Sequence, residues 1–384
     1  MSEVRVEKLV PGGQGLATLA DGQKIFLWNV LPGELVEFDI TKRKRHYCEA
    51  IATNIIESSP QRVTARDDCY LATSPWQVFD YDFELQQKAQ LVQECFRQQK
   101  LDVTVLPTIT DGHDFHYRNK MEYSLYWDNN DDQIYPAFHL RGTHRKIPIR
   151  QSSIERPEIF QAAQQIITEL NARQAAARDY QSLLIRCDQQ GRVSSALFEK
   201  GKAHPIMPQL QDSLLGHTYS YSPNGFFQIN LPVYELVLQH IAAQIQTDQV
   251  LDLYAGVGSI GLSVAHDKQL TLVEVNAAAY AEMQNNARGT TAHCILAKSE
   301  EVTDYITPNC TVILDPPRAG CDAKLIAKLR QIRPAKIIYL SCNPITQARD
   351  VATLAADFTI SALQPYNFFP RTPHIENLLF LTRK

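Results

Sequence analysis

The chain has 384 residues, 44% hydrophobic and 21% charged, a balance that supports two or three packed domains and excludes a disordered chain. Lys and Arg number 38 against 42 Asp and Glu, so the formal net charge of -4 gives no overall pull toward nucleic acid. Eight cysteines, at 48, 69, 95, 187, 294, 310, 321 and 342, make no Cys-x-x-Cys pair, and no stretch approaches the ~20 uncharged apolar residues of a membrane span.

Residues 1–58 predict a small all-β unit, with apolar positions alternating over 4–10, 24–30 and 34–40 and Gly- and Pro-bearing turns at 11–15, 21–22 and 32–33. Five short strands of this kind suit an OB-like barrel, a common platform for nucleic acid. The run Lys42-Arg43-Lys44-Arg45-His46 and the later cluster Arg141, His144, Arg145, Lys146 and Arg150 are either solvated faces or phosphate contacts. The order Pro11-Gly12-Gly13-Gln14-Gly15, Asp21-Gly22, Leu31-Pro32-Gly33-Glu34 resembles a TRAM domain, an RNA-binding β-barrel.

After an irregular stretch over 59–80, a helix is predicted over 81–99 and is expected to pack on the catalytic domain; Leu85, Lys88, Leu91, Val92 and Cys95 fall at helical spacing. Strand-like pieces at 122–127, 137–140, 183–187 and 193–198 surround a helix near 156–174, so 59–215 reads as a central α+β domain that contacts RNA. From 216 to 384 the rhythm changes. A helix over 232–245 leads to strands at 250–254, 270–275, 294–297, 312–314 and 336–341, helices over 323–331 and 344–355, and closing strands at 358–366 and 378–382. That alternation predicts a doubly wound, mostly parallel α/β sheet with an antiparallel edge hairpin. It matches the class I, Rossmann-like sheet of S-adenosylmethionine-dependent methyltransferases better than a dehydrogenase.

Val250 to Gly261 reads as a strand, a glycine-rich turn and a helix start, with Asp252 on the strand, then Tyr254, Gly256 and Gly258. Glycine lets the backbone approach a ligand, and Glu274, about 20 residues past the first glycine, ends the next strand, where a carboxylate can accept ribose hydroxyls. Loop and carboxylate indicate an adenosine ligand but do not separate a methyl donor from NAD.

Four segments then resemble the RNA 5-methyluridine methyltransferases, in that family's order over about 165 residues. They are Ser222-Pro223-Asn224-Gly225-Phe226-Phe227-Gln228-Ile229-Asn230, Asp315-Pro316-Pro317-Arg318, Ser341-Cys342-Asn343-Pro344 and Phe369-Pro370-Arg371-Thr372-Pro373-His374-Ile375-Glu376. The resemblance implies methylation of uridine C5 in RNA, ribosomal rather than transfer RNA by its TRAM-like unit, with S-adenosyl-L-methionine as donor. C5 is a poor nucleophile until a thiolate adds to C6, and a base must later remove the C5 proton. The resemblance gives the first role to Cys342 and the second to Glu376, with His374 orienting the carboxylate. It places Gln228, Tyr254, Gly256, Gly258, Glu274 and Asp315 around the donor. Arg118, Asn119, Phe226 and His374 fall to the substrate, and Arg318 either to an ion pair or to RNA.

Many relatives hold an iron–sulfur cluster with a Cys-x5-Cys-Gly-Gly-Cys run. The matching stretch here, from Asp68 to Trp76, keeps Cys69 alone, so no cluster and no metal are expected. Lys298 and Asn367 also depart from the family's usual residues. The other readings are an amino-group methyltransferase, against which Arg318 and Cys342 argue, a non-catalytic RNA-binding protein, and an NAD enzyme. The first residues lack the apolar core of a signal peptide, and a cytoplasmic monomer with no membrane contact is expected.

Overall fold

The computed structural model describes residues 3–141, 143 and 145–384; His144 of the second basic cluster lies outside the described residues. The first sheet has six strands, β1 (Glu3–Arg5), β2 (Lys8–Leu9), β3 (Gly15–Thr18), β4 (Lys24–Trp28), β5 (Leu35–Arg43) and β6 (Tyr47–Glu57), in the order β1-β5-β6-β4-β3-β2. The alternation over 4–10 suggested one strand, and the structure divides it. Val6 exchanges bonds with Gly33 and Glu34 at 2.8 and 2.9 Å, whereas the next residue, Glu7, donates to Leu16 at 2.8 Å. One extended segment therefore bends across a corner, pairs with β5 and then with β3, and joins both edges of the sheet. Closure leaves no free edge to template association.

β7 (Lys120–Asp128), β8 (Gln133–His139), β9 (Lys146–Pro148), β10 (Tyr180–Cys187) and β11 (Val193–Glu199) form an antiparallel sheet in the order β11-β10-β7-β8-β9. Helix Pro157–Ala172 covers it with Ile159, Ala163, Ile167 and Leu170, an i, i+4, i+8, i+11 stripe. The hairpin β12 (Leu210–Leu214) and β13 (His217–Tyr221) buries Leu210, Leu214, Tyr219 and Tyr221 in the core shared with helix Leu231–Gln244.

The large sheet contains β14 (Gln249–Leu253), β15 (Gln269–Glu274), β16 (His293–Leu296), β17 (Cys310–Leu314), β18 (Lys336–Ser341), β19 (Phe358–Tyr366) and β20 (Glu376–Arg383), in the order β16-β15-β14-β17-β18-β20-β19. Six strands run parallel and β20 alone runs against them, between β18 and β19, which is the class I methyltransferase sheet. Helices cover both faces, so β17 and β18 are buried at every position and read as continuous apolar runs instead of alternating. Chain order reverses at β14, between β15 and β17; ligands of open α/β sheets bind beyond the strands' C-terminal ends at such a point. Helix Tyr81–Gln98 is capped by the Asp80 carboxylate, which accepts from Phe83 N. It sinks Leu91, Val92, Cys95 and Phe96 into the core that holds Val312, Leu314, Ile337 and Tyr339 of this sheet. Among the described residues no helix is long and apolar enough to cross a membrane.

Candidate active site

The turn after β14 is built by conformation. Tyr254, Gly256 and Gly258 all have positive φ, at 64°, 57° and 84°. Buried Asp252 accepts the Gly261 N–H at 2.8 Å; a Cβ on Gly261 would lie 2.5 Å from Leu272 Cδ2 and 2.9 Å from that same Asp252 oxygen. Only glycine lets helix Ser259–Val264 seat this close to the sheet. Burial pushes the Asp252 carboxyl up to about 8 although the Gly261 amide opposes the shift. At the end of β15, Glu274 Oε2 accepts Gly256 N–H at 2.8 Å and Oε1 accepts Asn276 N–H at 2.7 Å. Two amides thus fix a carboxylate at the mouth of the turn, while the Gly256 Cα faces open space. These residues fit an adenosine-bearing ligand.

The second half of the site lies two strands away. Ser341 pairs with Asn377 across β18 and β20. That is the last rung of the ladder, so Cys342 leaves β18 at the same sheet end where Glu376 begins β20, and the Glu376 carboxyl acts directly on the Cys342 thiol. The Asp315–Arg318 loop is tied to the same strand end. Asn343 Nδ2 and Thr346 Oγ1 donate to the Arg318 carbonyl at 2.9 and 3.1 Å, and Arg349 Nη2 donates to Ala319 O at 3.0 Å. Asn343 also caps helix Pro344–Leu354 by accepting from Ile345 N, which fixes the peptide directly after the cysteine.

Electrostatics bind these side chains into one pocket. Burial, then the carboxyls of Glu376 and Asp315, push the Cys342 thiol up to about 11, and Arg318 opposes the shift. Burial and then Asp315 raise the Glu376 carboxyl well above the usual range, again against Arg318. Burial alone pushes Asp315 up to about 7. Burial therefore favours the neutral thiol and the neutral carboxyl in the resting site, and Arg318 favours their ionised forms.

A second set of residues seats the loop that delivers Glu376, and the sequence reading did not single it out for the site. Glu84 and Lys88, one turn apart on helix Tyr81–Gln98, are both wholly buried and 3.0 Å apart. Lys88 also donates to Asn367 Oδ1 at 2.5 Å and to the Phe369 carbonyl at 3.1 Å. Glu84 accepts from Asn367 Nδ2 at 3.2 Å and from the Arg371 amide at 3.0 and 3.1 Å. Asn367 offers the lysine an oxygen and the glutamate an N–H, which an aspartate there could not do. Two charged residues on an otherwise apolar helix face are the signal in the sequence that marks this clamp.

Gln228 and Asn119 meet, since Asn119 Nδ2 donates to the Gln228 carbonyl at 3.1 Å. Phe226 beside them is 75% exposed, whereas Phe227 is buried and stacked on Tyr221 at 4.2 Å. Arg118 is held by backbone bonds to Ile154 and Arg156. His374 faces solvent at the rim. The surrounding protein, then the cations Arg318, Lys88, Arg118 and Arg141, push its imidazolium down to about 4. Its amide donates to Thr372 Oγ1 at 3.3 Å and its ring meets Phe369 edge-on at 5.6 Å; among the described residues no hydrogen bond joins it to Glu376. Cys69 points its thiol at the Gln151 carbonyl, 3.5 Å away, and burial followed by Asp67 pushes it up to about 12. A lone neutral thiol cannot supply the four thiolates of a cluster. Among the described residues no three His, Cys, Asp or Glu side chains are placed to hold a metal ion.

Residues 298–384 match the family model described as tRNA (uracil-5-)-methyltransferase, and 233–336 match that of a methyltransferase small domain. An RNA methyltransferase of Enterococcus faecalis is 28% identical over 99% of this chain and 97% of its own length. One from Bacillus cereus is 26% identical over 99% and 96%. The crystal structure of Pyrococcus abyssi tRNA (uracil-54, C5)-methyltransferase with S-adenosyl-L-homocysteine superposes with a TM-score of 0.80 at 21% identity, covering 99% of this chain and all of that one. The fold is shared end to end.

Proposed function

We propose that this chain, an S-adenosylmethionine-dependent RNA methyltransferase of the uracil-5 family, methylates C5 of a uridine through a covalent adduct on Cys342. The observation that carries the reading is that the Ser341–Asn377 rung ends β18 and begins β20 where Cys342 and Glu376 follow and precede it, with Glu376, Asp315 and Arg318 all acting on the Cys342 thiol.

When bound, S-adenosylmethionine supplies an electrophilic methyl group. Glu274, the Gly256–Gly258 turn, Tyr254, Gln228 and Asp315 are the residues that would hold it. Cys342 as thiolate adds to C6 of the ring, which leaves C5 electron-rich. Once C5 carries its new substituent, Glu376 takes the C5 proton, and elimination returns the thiolate. A carboxyl whose affinity for protons is raised by burial is a stronger base when it does ionise. Arg318 offsets the negative charge that appears as these groups ionise. Arg118, Asn119 and the exposed Phe226 form the reading's contacts to the substrate.

The test uses two variants. Cys342→Ala abolishes transfer while RNA binding persists. Glu376→Gln stalls after addition and leaves a protein–RNA adduct that runs as a shifted band on a denaturing gel. Normal turnover and free protein in both variants would refute the mechanism.

For the substrate we take ribosomal RNA, on the strength of the closed barrel and its exposed Lys42–His46 hairpin. Transfer RNA is the second reading, since the matched family model is described by it. Mass-spectrometric mapping of 5-methyluridine in both RNAs from a deletion strain separates the two: the position that loses its methyl group names the substrate.

A further inference from the structure

The segment 224–229 is held by its backbone from the central sheet. Lys120 Nζ donates to the carbonyls of Asn224 and Gly225 at 3.4 and 3.0 Å. Arg186 Nη2 donates to those of Phe227 and Gln228 at 2.8 and 3.0 Å. Asn119 adds Nδ2 to the Gln228 carbonyl and its own amide to that of Ile229, both at 3.1 Å. Between these anchored peptides Phe226 turns its ring into solvent.

Arg186 is the costly member of this set. It lies on β10 opposite Lys120 of β7 and is 0% exposed. Its Nε and Nη1 have no hydrogen-bond partner, and among the described residues no carboxylate lies within ion-pair distance of it, Asp212 acting on it only from further off. That carboxylate accepts a hydrogen bond from the Tyr221 hydroxyl instead. A buried guanidinium without a counter-ion is destabilising, and an aliphatic side chain would fill the space at lower cost. What only the guanidinium supplies is a planar face and a bifurcated donor. The face lies 4.6 Å from the Tyr221 ring and 5.6 Å from that of Phe227, and one nitrogen reaches two successive carbonyls. Asn230, just beyond, donates from Nδ2 to the Phe368 carbonyl at 3.1 Å, so the segment is also tied to the loop that delivers Glu376.

We propose that Arg186 is a positioning residue for methyl transfer: by holding the Phe227 and Gln228 carbonyls it fixes Phe226 as the face on which the target base stacks. This rests on the reading of Phe226 as a substrate contact. A double-mutant cycle with steady-state RNA kinetics tests it. Phe226→Ala lowers kcat/KM for RNA, and Arg186→Met lowers it by ~100-fold, the scale of a misplaced substrate. Adding Phe226→Ala to Arg186→Met then costs almost nothing more, because residues that act as one unit are not additive. Arg186→Lys, which keeps the charge and a donor group but not the planar face, recovers part of the loss, and its own cycle with Phe226→Ala decides the question if Arg186→Met does not fold. Losses that multiply independently, or Arg186 variants with unchanged kcat/KM, overturn the inference and leave the role of Phe226 standing. A silent Phe226→Ala overturns both.

Discussion

Replacing Lys88 by Met isolates what the buried clamp contributes. The ammonium makes three contacts, to Glu84 Oε1 at 3.0 Å, Asn367 Oδ1 at 2.5 Å and the Phe369 carbonyl at 3.1 Å, so all its N–H donors are used. Burial lowers its affinity for a proton, and the Glu84 carboxylate opposes that shift, so the two residues support each other's charge. Methionine fills nearly the same volume but leaves a carboxylate that is wholly inaccessible to water with only the Arg371 guanidinium, 4.0 Å away, as a counter-charge. Breaking a buried pair from one side costs about 3–5 kcal/mol. Adding Glu84→Gln removes the stranded charge and keeps the oxygen that serves Asn367 and Arg371, so the double variant should lie within about 1–2 kcal/mol of the parent, the scale of single unmade hydrogen bonds. Urea unfolding read through Trp76, whose ring centroid is 5.8 Å from the Lys88 nitrogen, reports on this region directly. Methylation should fall in Lys88→Met and recover in the double variant, because the loop into Glu376 loosens and tightens with the clamp. A cost below about 1 kcal/mol for Lys88→Met, or a double variant weaker than either single one, would refute an ion pair as the source of the loop's rigidity.

Peptide-resolved alkylation should show Cys342 reacting about tenfold faster per pH unit from 7 to 9, since a thiol pushed up to about 11 is far below half-ionised there; a flat profile would mean the thiolate already forms at pH 7. Glu376→Gln should raise the thermal midpoint at pH 8 and not at pH 4. A carboxyl raised in the fold contributes stability only below its unfolded value and loses it as pH climbs, so the parent alone pays to ionise it or to bind a proton; scanning calorimetry at both pH values checks the sign. Gly261→Ala should weaken binding of the methyl donor by tenfold or more, following an overpacking cost of about 1–3 kcal/mol at the Leu272 and Asp252 contacts. Isothermal titration with S-adenosyl-L-homocysteine measures it, and unchanged affinity would mean the turn absorbs the added methyl freely.

The residues proposed for the chemistry stand out in the sequence because they lie within short segments at strand ends. Cys342, Asp315, Glu274 and the glycine turn all follow apolar strands whose length and flanking residues are local signals, and the parallel order β15-β14-β17-β18 carries them to one rim. Glu376 was harder to place from the strands alone, since its partner Ser341-Cys342 lies more than 30 residues earlier and only the antiparallel return of β20 brings them together. Lys88 appeared on the apolar face of its helix without any local hint of what would neutralise it. Its acceptors Asn367 and Phe369 are some 280 residues away.

Arg186 shows the limit most plainly. On a strand buried at six successive positions, from Ser182 to Cys187, alternation no longer distinguishes one face from the other, so an arginine there carries no sign of what it points at. Its partners are carbonyl oxygens, which every residue possesses and no sequence pattern marks. Side chains that act on the backbone of a distant loop are invisible to motif reading for that reason, while side chains that act on a substrate cluster at strand ends and can be read. The division between legible and hidden residues here follows the chemistry of the partner: reactive groups demand particular residue types at particular places, whereas a carbonyl accepts from any donor the fold can bring near.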